Sequence, residues 1–156
     1  VNGCVGYYVY RKEGSGSFKK LATVKGEGKV TYTDKTAKNG KTYTYKVKAY
    51  DGKVLSADSA TKKITFISAP KAKSIATAKA GVTFTWNKVT GATGYEVYRA
   101  TGNGSFQKIV TVKKGSVIKF VDKSAKKGKT YKYKVRAVKG SAKSAFSSVK
   151  TIKDKY

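Results

Sequence analysis

TYTYKVKA at residues 42–49 returns as TYKYKVRA at residues 130–137. In each copy every second position is Tyr, Tyr, Val or Ala, and the positions between carry Thr, Lys or Arg. That is the period of a strand with one face in a core and the other in water. Working outward at a fixed offset of 88, the two halves align without a gap from Val1 against Val89 to Ser68 against Tyr156, and 33 of the 68 pairs are identical. The identities include Gly6 with Gly94, Gly14 with Gly102, Gly40 with Gly128, and Asp34 with Asp122. A period this long exceeds a solenoid unit and matches one small sandwich domain. Residues 1–68 are therefore expected to be one repeat and residues 69–156 a second.

Residues 69–88 have no counterpart ahead of Val1. The first repeat is expected to be incomplete, lacking its two N-terminal strands, and the sequence to begin within a domain. There is no Met and no apolar h-region of a signal peptide.

Composition favours an all-β chain: 12 Tyr, 16 Gly, a single Pro, and many Val, Thr and Lys residues. No apolar run reaches the roughly 18 residues of a membrane helix. The net charge is +27, divided as 14 cations minus 5 acids (+9) in residues 1–68 and 21 minus 3 (+18) in residues 69–156. Such a field concentrates polyanions near the surface and weakens with salt. Anionic cell-wall polymers, acidic glycans, anionic membranes and nucleic acid all fit that field. The lone Cys4 aligns with Ala92 and reads as a small loop residue rather than a reactive thiol.

The second repeat parses into seven short strands: Lys71–Thr77, Val82–Lys88, Tyr95–Ala100, Phe106–Val112, Val117–Val121, Thr130–Val138 and Lys143–Ile152. Turn chemistry such as Gly102-Asn103-Gly104 separates them, and the spacing is that of a sandwich or barrel. Trp86 in the second strand, GYEVYR in the third and GKTYKYKVRAV in the sixth resemble a fibronectin type III domain over nearly all of residues 69–152. The resemblance implies two tandem fibronectin type III-like (immunoglobulin-like) β-sandwiches. It also implies a core around Trp86, with Tyr131, and by repeat Tyr43, supplying a tyrosine corner whose hydroxyl bonds the preceding loop. In that topology the first, second and fifth strands make one sheet. Without the first two, only the fifth would cover Tyr7, Val9, Tyr45 and Val47. Burial is worth ~1.5–3 kcal/mol per side chain, and its loss over half a core would exceed a domain's net stability of ~5–15 kcal/mol. A second molecule, or residues ahead of Val1, is expected to supply the cover, so self-association is one expected partnership.

Enzyme chemistry finds little support. There is no His, and the eight acidic residues are scattered. Asp34 and Asp122 sit at equivalent positions before a loop, as capping residues do. The GxG stretches at 14–16 and 102–104 lie between strands, which makes them hairpin turns rather than phosphate loops. No cofactor and no metal site is expected. The basic run DKSAKKGKTYKYK at 122–134 reads as a basic loop entering a strand.

Alternation places Lys132, Lys134 and Arg136 on an outer face with Tyr98, and in the first repeat Lys46, Lys48 and Tyr50 with Tyr8 and Tyr10. One reading is a binding surface for an acidic polymer or glycan; the other is a solvated sheet with Tyr and Lys packed across strands. The resemblance implies a module of a secreted or cell-surface protein of Gram-positive bacteria, extracellular or wall-associated. The expected role is a non-enzymatic structural or adhesive segment, a spacer or fibre-forming piece. The alternative is a polyanion- or glycan-binding accessory module of a cell-wall or polysaccharide hydrolase. Nucleic acid is the less favoured partner.

Overall fold

The computed structural model describes residues 1–156, and every regular element in it is a strand. The chain forms two compact units, Val1–Phe66 and Ile67–Tyr156. The repeat offset would divide them two residues later. Ile67 instead packs into the core of the second unit.

The first unit contains β1 (Gly6–Glu13), β2 (Lys19–Lys25), β3 (Thr42–Asp51), β4 (Val54–Leu55) and β5 (Lys62–Thr65). They form one sheet in the order β2-β1-β3-β4, with β5 also on β3. The second unit contains β6 (Ala72–Ala78), β7 (Gly81–Trp86), β8 (Gly94–Thr101), β9 (Gln107–Val112), β10 (Lys119–Asp122), β11 (Thr130–Lys139), β12 (Ala142–Lys143) and β13 (Lys150–Lys153). Here there are two sheets: β10-β7-β6, and β9-β8-β11-β12 with β13 also on β11. The central pair of each unit is antiparallel and in the same register, Val9 opposite Val47 and Val97 opposite Val135.

The single last strand expected over Lys143–Ile152 is broken into β12 and β13. The cause is local: Ser144 and Ser147 hydroxyls accept the N–H groups of Ala137 and Val135 at 2.9 and 3.1 Å. The serine side chains stand in for backbone there, and residues 144–149 leave the regular ladder. Ser56 and Ser59 do the same against Ala49 and Val47 in the first unit.

The second unit's core lies between its sheets. Val82, Phe84 and Trp86 project from β7 onto Tyr95, Val97, Tyr133 and Val135, and all seven are fully buried. Trp86 meets Tyr95 edge-on at 5.3 Å, and Phe84 lies 5.8 Å from Tyr133. Both arrangements suit the ring quadrupoles. Gly94 is required beside this core, because a Cβ there would overlap the Val112 carbonyl; Gly6 has the same relation to Val24.

The first unit keeps the same inward residues and has one sheet. The segment equivalent to β10, Thr31–Asp34, was expected as a remaining fifth strand, but it joins no ladder. The reason is visible in the second unit, where β10 pairs only with β7. Residues 1–66 contain no equivalent of β7, so the segment has nothing to pair with. Tyr7, Val9, Val24, Tyr45 and Val47 line an open concavity of about 760 Å³.

Candidate cation and aromatic face

Strand alternation brings the expected site residues together within each unit. On the first, Tyr8 lies opposite Lys48 and Tyr10 opposite Lys46 across β1 and β3. The Tyr8 ring stacks on Tyr50 with centroids 4.4 Å apart, and the Lys20 ammonium sits 4.2 Å over Tyr8. Lys46 lies 4.5 Å over the Phe18 ring. Tyr50, expected to face solvent, is only 9% exposed.

On the second unit, Lys134 stands between two rings, 4.1 Å from each of Phe106 and Phe146. Arg136 lies over Tyr98 and Phe146 at 5.3 and 4.9 Å, and Tyr98 meets Phe146 edge-on at 4.9 Å. Lys132 donates to the Asn103 side chain at 3.2 Å. These are cation–π and hydrogen-bond contacts of ordinary strength, ~0.5–2 kcal/mol where the cation is partly desolvated.

The two faces keep one carboxylate each, but in exchanged places. In the first unit Asp58 bridges Lys46 at 2.7 Å and Lys48 at 3.5 Å. The offset of 88 puts Phe146 at that place in the second unit. There the carboxylate is Glu96, at the place of Tyr8; it takes Arg136 at 2.7 Å and both Lys108 and Lys143 at 3.4 Å. Burial pulls the Glu96 carboxyl upward. Arg136, Lys143 and Lys108 outweigh that and hold it below its ordinary range. Most of the cations that alternation aims outward are thus engaged by groups of their own unit.

Glu96, Asp58, Phe18, Phe106 and Phe146 escaped the sequence reading. Glu96 carried a usable signal, because it alternates with the inward Tyr95 and Val97 and the β8–β11 register sets it opposite Arg136. Asp58 and Phe146 carried none, since both lie in the irregular segments created by the paired serines.

Two further clusters are duplicated in the units. Asp122 accepts Arg99 at 2.7 Å, Tyr133 at 2.8 Å, and both the N–H and the hydroxyl of Ser124. Asp34 does the same with Arg11, Tyr45 and Thr36. Burial raises both carboxyls, and these hydrogen bonds together bring them below the usual carboxylate range. Tyr45 is pushed up to about 12 by burial and by its bond to Asp34. The capping expected of Asp34 and Asp122 takes the form of an Asx turn onto the N–H two residues on, with an arginine and a tyrosine added. Two residues earlier on the same strands, the Tyr131 hydroxyl accepts the Lys126 N–H at 2.9 Å and the Tyr43 hydroxyl accepts the Lys38 N–H at 3.0 Å. Trp86 is fully buried, and its indole N–H has no hydrogen-bond partner. No three His, Cys, Asp or Glu side chains converge as a metal site would need, and Cys4 is a free thiol. No helix is long and apolar enough to cross a membrane.

The chain is similar to a two-domain fibronectin type III segment of chicken tenascin, with a TM-score of 0.54 and 22% identity over 98% of this chain and 86% of that one. It is also similar to the FN1–FN3 domains of chicken CNTN1, with a TM-score of 0.53 and 20% identity over 97% of this chain and 54% of that one. The fold is tandem fibronectin type III. At these identities the likeness concerns the fold alone. No family model matches the chain. Among curated proteins, it is 42% identical over 88 residues to an amylopullulanase of Thermoanaerobacterium thermosulfurigenes, covering 54% of this chain and 5% of that protein. It is 44% identical over 75 residues to an amylopullulanase of Thermoanaerobacterium saccharolyticum, covering 46% and 6% respectively. The fibronectin type III repeats here therefore match a small part of each of those bacterial proteins.

Proposed function

We propose that residues 1–156 serve as a non-catalytic extracellular spacer module of a larger bacterial glycan-active protein. The observation that carries this reading is the 42% identity to a stretch amounting to 5% of an amylopullulanase. A stretch of that size is a module within an enzyme rather than its catalytic centre. The side chains are consistent with the role: Asp34, Asp122, Glu96 and Asp58 are each engaged by arginine, tyrosine, hydroxyl or lysine partners of their own unit. The outer faces fit the same reading. Their tyrosines and lysines pack on one another across strands, which stiffens the sheets and leaves few unengaged donors for a sugar.

The test is retention of the purified chain on insoluble amylose or cross-linked pullulan. A spacer passes through unretarded at every salt concentration. Retention that is lost on replacing Tyr8 and Tyr98 by Ala would instead make the faces glycan platforms.

A second reading has its own support in the +18 carried by residues 69–156. It is a polyanion-binding accessory module, adhesive to an anionic wall polymer or acidic glycan. Its signature is retention on an anionic matrix with a steep loss of affinity as salt rises. Because Lys132, Lys134 and Arg136 are engaged internally, the lysines of the loops, such as Lys123 and Lys127, would carry that binding. Their replacement would flatten the salt dependence, whereas retention owed to the net charge of a spacer would respond equally to replacing any two lysines.

A further inference from the structure

The open inner face of the first unit is a mould whose filling is shown by the second. Tyr7, Val9, Val24, Tyr45 and Val47 correspond at the repeat offset to Tyr95, Val97, Val112, Tyr133 and Val135, and all five pairs are identical. In the second unit that face is closed by Val82, Phe84 and Trp86 of β7, each fully buried. In the first unit the same side chains line the concavity of about 760 Å³. A second observation lies beside it. β10 pairs with β7 from Lys119 opposite Thr85 to Asp122 opposite Val82, while its counterpart Thr31–Asp34 presents its backbone to no ladder. Tyr32 is 43% exposed and Val30 80%.

We propose that the first unit is an acceptor for a β-hairpin from outside residues 1–156, with the chemistry of Ala72–Trp86. One strand of that hairpin carries Val, Phe and Trp at alternate positions into the concavity and pairs antiparallel with Thr31–Asp34. The backbone edge selects a polypeptide over a sugar or lipid, because only a strand satisfies successive N–H and C=O groups. The alternation selects a hairpin over a helix, whose side chains repeat at a different period. A second copy of these residues is not the occupant. Each copy has two such faces and a single hairpin, already buried in its own core, so a transferred hairpin uncovers as much as it covers. Packing two first units face to face would oppose two +9 units and leave both Thr31–Asp34 edges unpaired. The inference stands apart from the spacer role, since an acceptor face can be filled whether or not the module touches glycan.

The experiment uses the full 156-residue chain and a synthetic peptide of residues 70–88, in 0.3 M salt to screen lysine repulsion. Amide hydrogen exchange and chemical shifts of the chain are followed as peptide is added. The expected result is saturable binding, slowing of exchange at Thr31–Asp34 by at least tenfold, and shifts at Tyr7, Val9, Tyr45 and Val47. A peptide carrying W86K should do none of this. As a second arm, residues 70–88 are fused through a flexible linker ahead of Val1, which raises the effective concentration of the hairpin to millimolar. The fused chain should protect Thr31–Asp34 without added peptide, and W86K in the added copy should abolish that protection. Unchanged exchange at Thr31–Asp34 in the fused chain overturns the proposal. So does concentration-dependent protection of that segment in the unmodified chain alone, which would assign the face to a second copy.

Discussion

Arg136 donates to Glu96 at 2.7 Å across the β8–β11 pair, at the centre of the second unit's outer face. Glu96 is only 7% exposed, while Arg136 retains some solvent. Removing the arginine would leave a nearly buried carboxylate with two lysines at 3.4 Å. Arg136→Met is expected to destabilise the second unit by ~1–3 kcal/mol, below the cost of breaking a fully buried pair because Arg136 is partly hydrated. The double variant with Glu96→Gln should recover part of that loss. Urea unfolding of the four species in a double-mutant cycle measures it, and additive losses would show that the pair is not coupled.

Phe84→Ala should cost the second unit ~3–5 kcal/mol, the usual range for truncating a buried ring. Phe84 is a better probe than Trp86, because Trp86 is the sole tryptophan and its fluorescence reports on this unit alone. The tryptophan transition is expected to move to lower urea. A shift worth less than about 1 kcal/mol would show that the cavity collapses without cost.

Tyr131→Phe removes the acceptor of the Lys126 N–H and leaves the ring. The expected loss is ~1–2 kcal/mol, with faster exchange of the Lys126 amide. Tyr131→Ala should cost more, because it also removes a buried ring. Equal losses from the two variants would show that the hydroxyl contributes nothing.

Stability should fall in acid. Asp34, Asp122 and Glu96 have folded proton affinities depressed below their ordinary 3.8, 3.8 and 4.5. The unfolded chain therefore binds protons first as pH drops. The stabilisation is full above about pH 4.5 and is lost as pH falls through the folded values. Asp122→Asn is expected to lower stability at pH 7 and to flatten its dependence on pH below 4.5. Equilibrium unfolding at pH 7, 4 and 2.5 provides the check; an unchanged slope in the variant would remove Asp122 from the linkage.

Tyr45 gives the opposite sign at high pH. Its phenol is raised to about 12 from 10, so its contribution is complete below pH 10 and fades as pH rises through 12. In a spectrophotometric titration a Tyr45→Phe variant should lose an ionisation near pH 12. Tyr133, held by deeper burial and by Asp122, should ionise only as the second unit unfolds.

Alternation in TYKYKVRA and VTFTW was enough to assign inward and outward faces, since a period of two fixes them once strand identity is known. The arginine and tyrosine around Asp122 were not legible, because they come from β8 and β11 and meet through strand pairing 23 and 11 residues away in sequence. The breaks flanking Ser144–Ser147 were hidden for another reason. Serine's local competition with the backbone depends on which face it occupies, and the string of letters does not record that. The absence of a fifth strand at Thr31–Asp34 needed the pairing map as well: the residues have strand character, and only the lack of a neighbour keeps them irregular.

The exchange of Asp58 and Glu96 between otherwise matching faces bears on how two near-copies fold on one chain. GYYVYR and GYEVYR offer the same inward pattern, so β1 is sterically able to take the place of β8 beside β11. Neighbouring repeats commonly misassemble in this manner. Such a hybrid would bring Tyr8 to Arg136 in place of Glu96 and leave Arg136, Lys108 and Lys143 facing one another without a carboxylate. The reverse hybrid would crowd Glu96 and Asp58 around Lys46 and Lys48. Each wrong pairing leaves one sheet short of negative charge and the other with a surplus, so the displaced carboxylate gives each strand an address that its twin does not share.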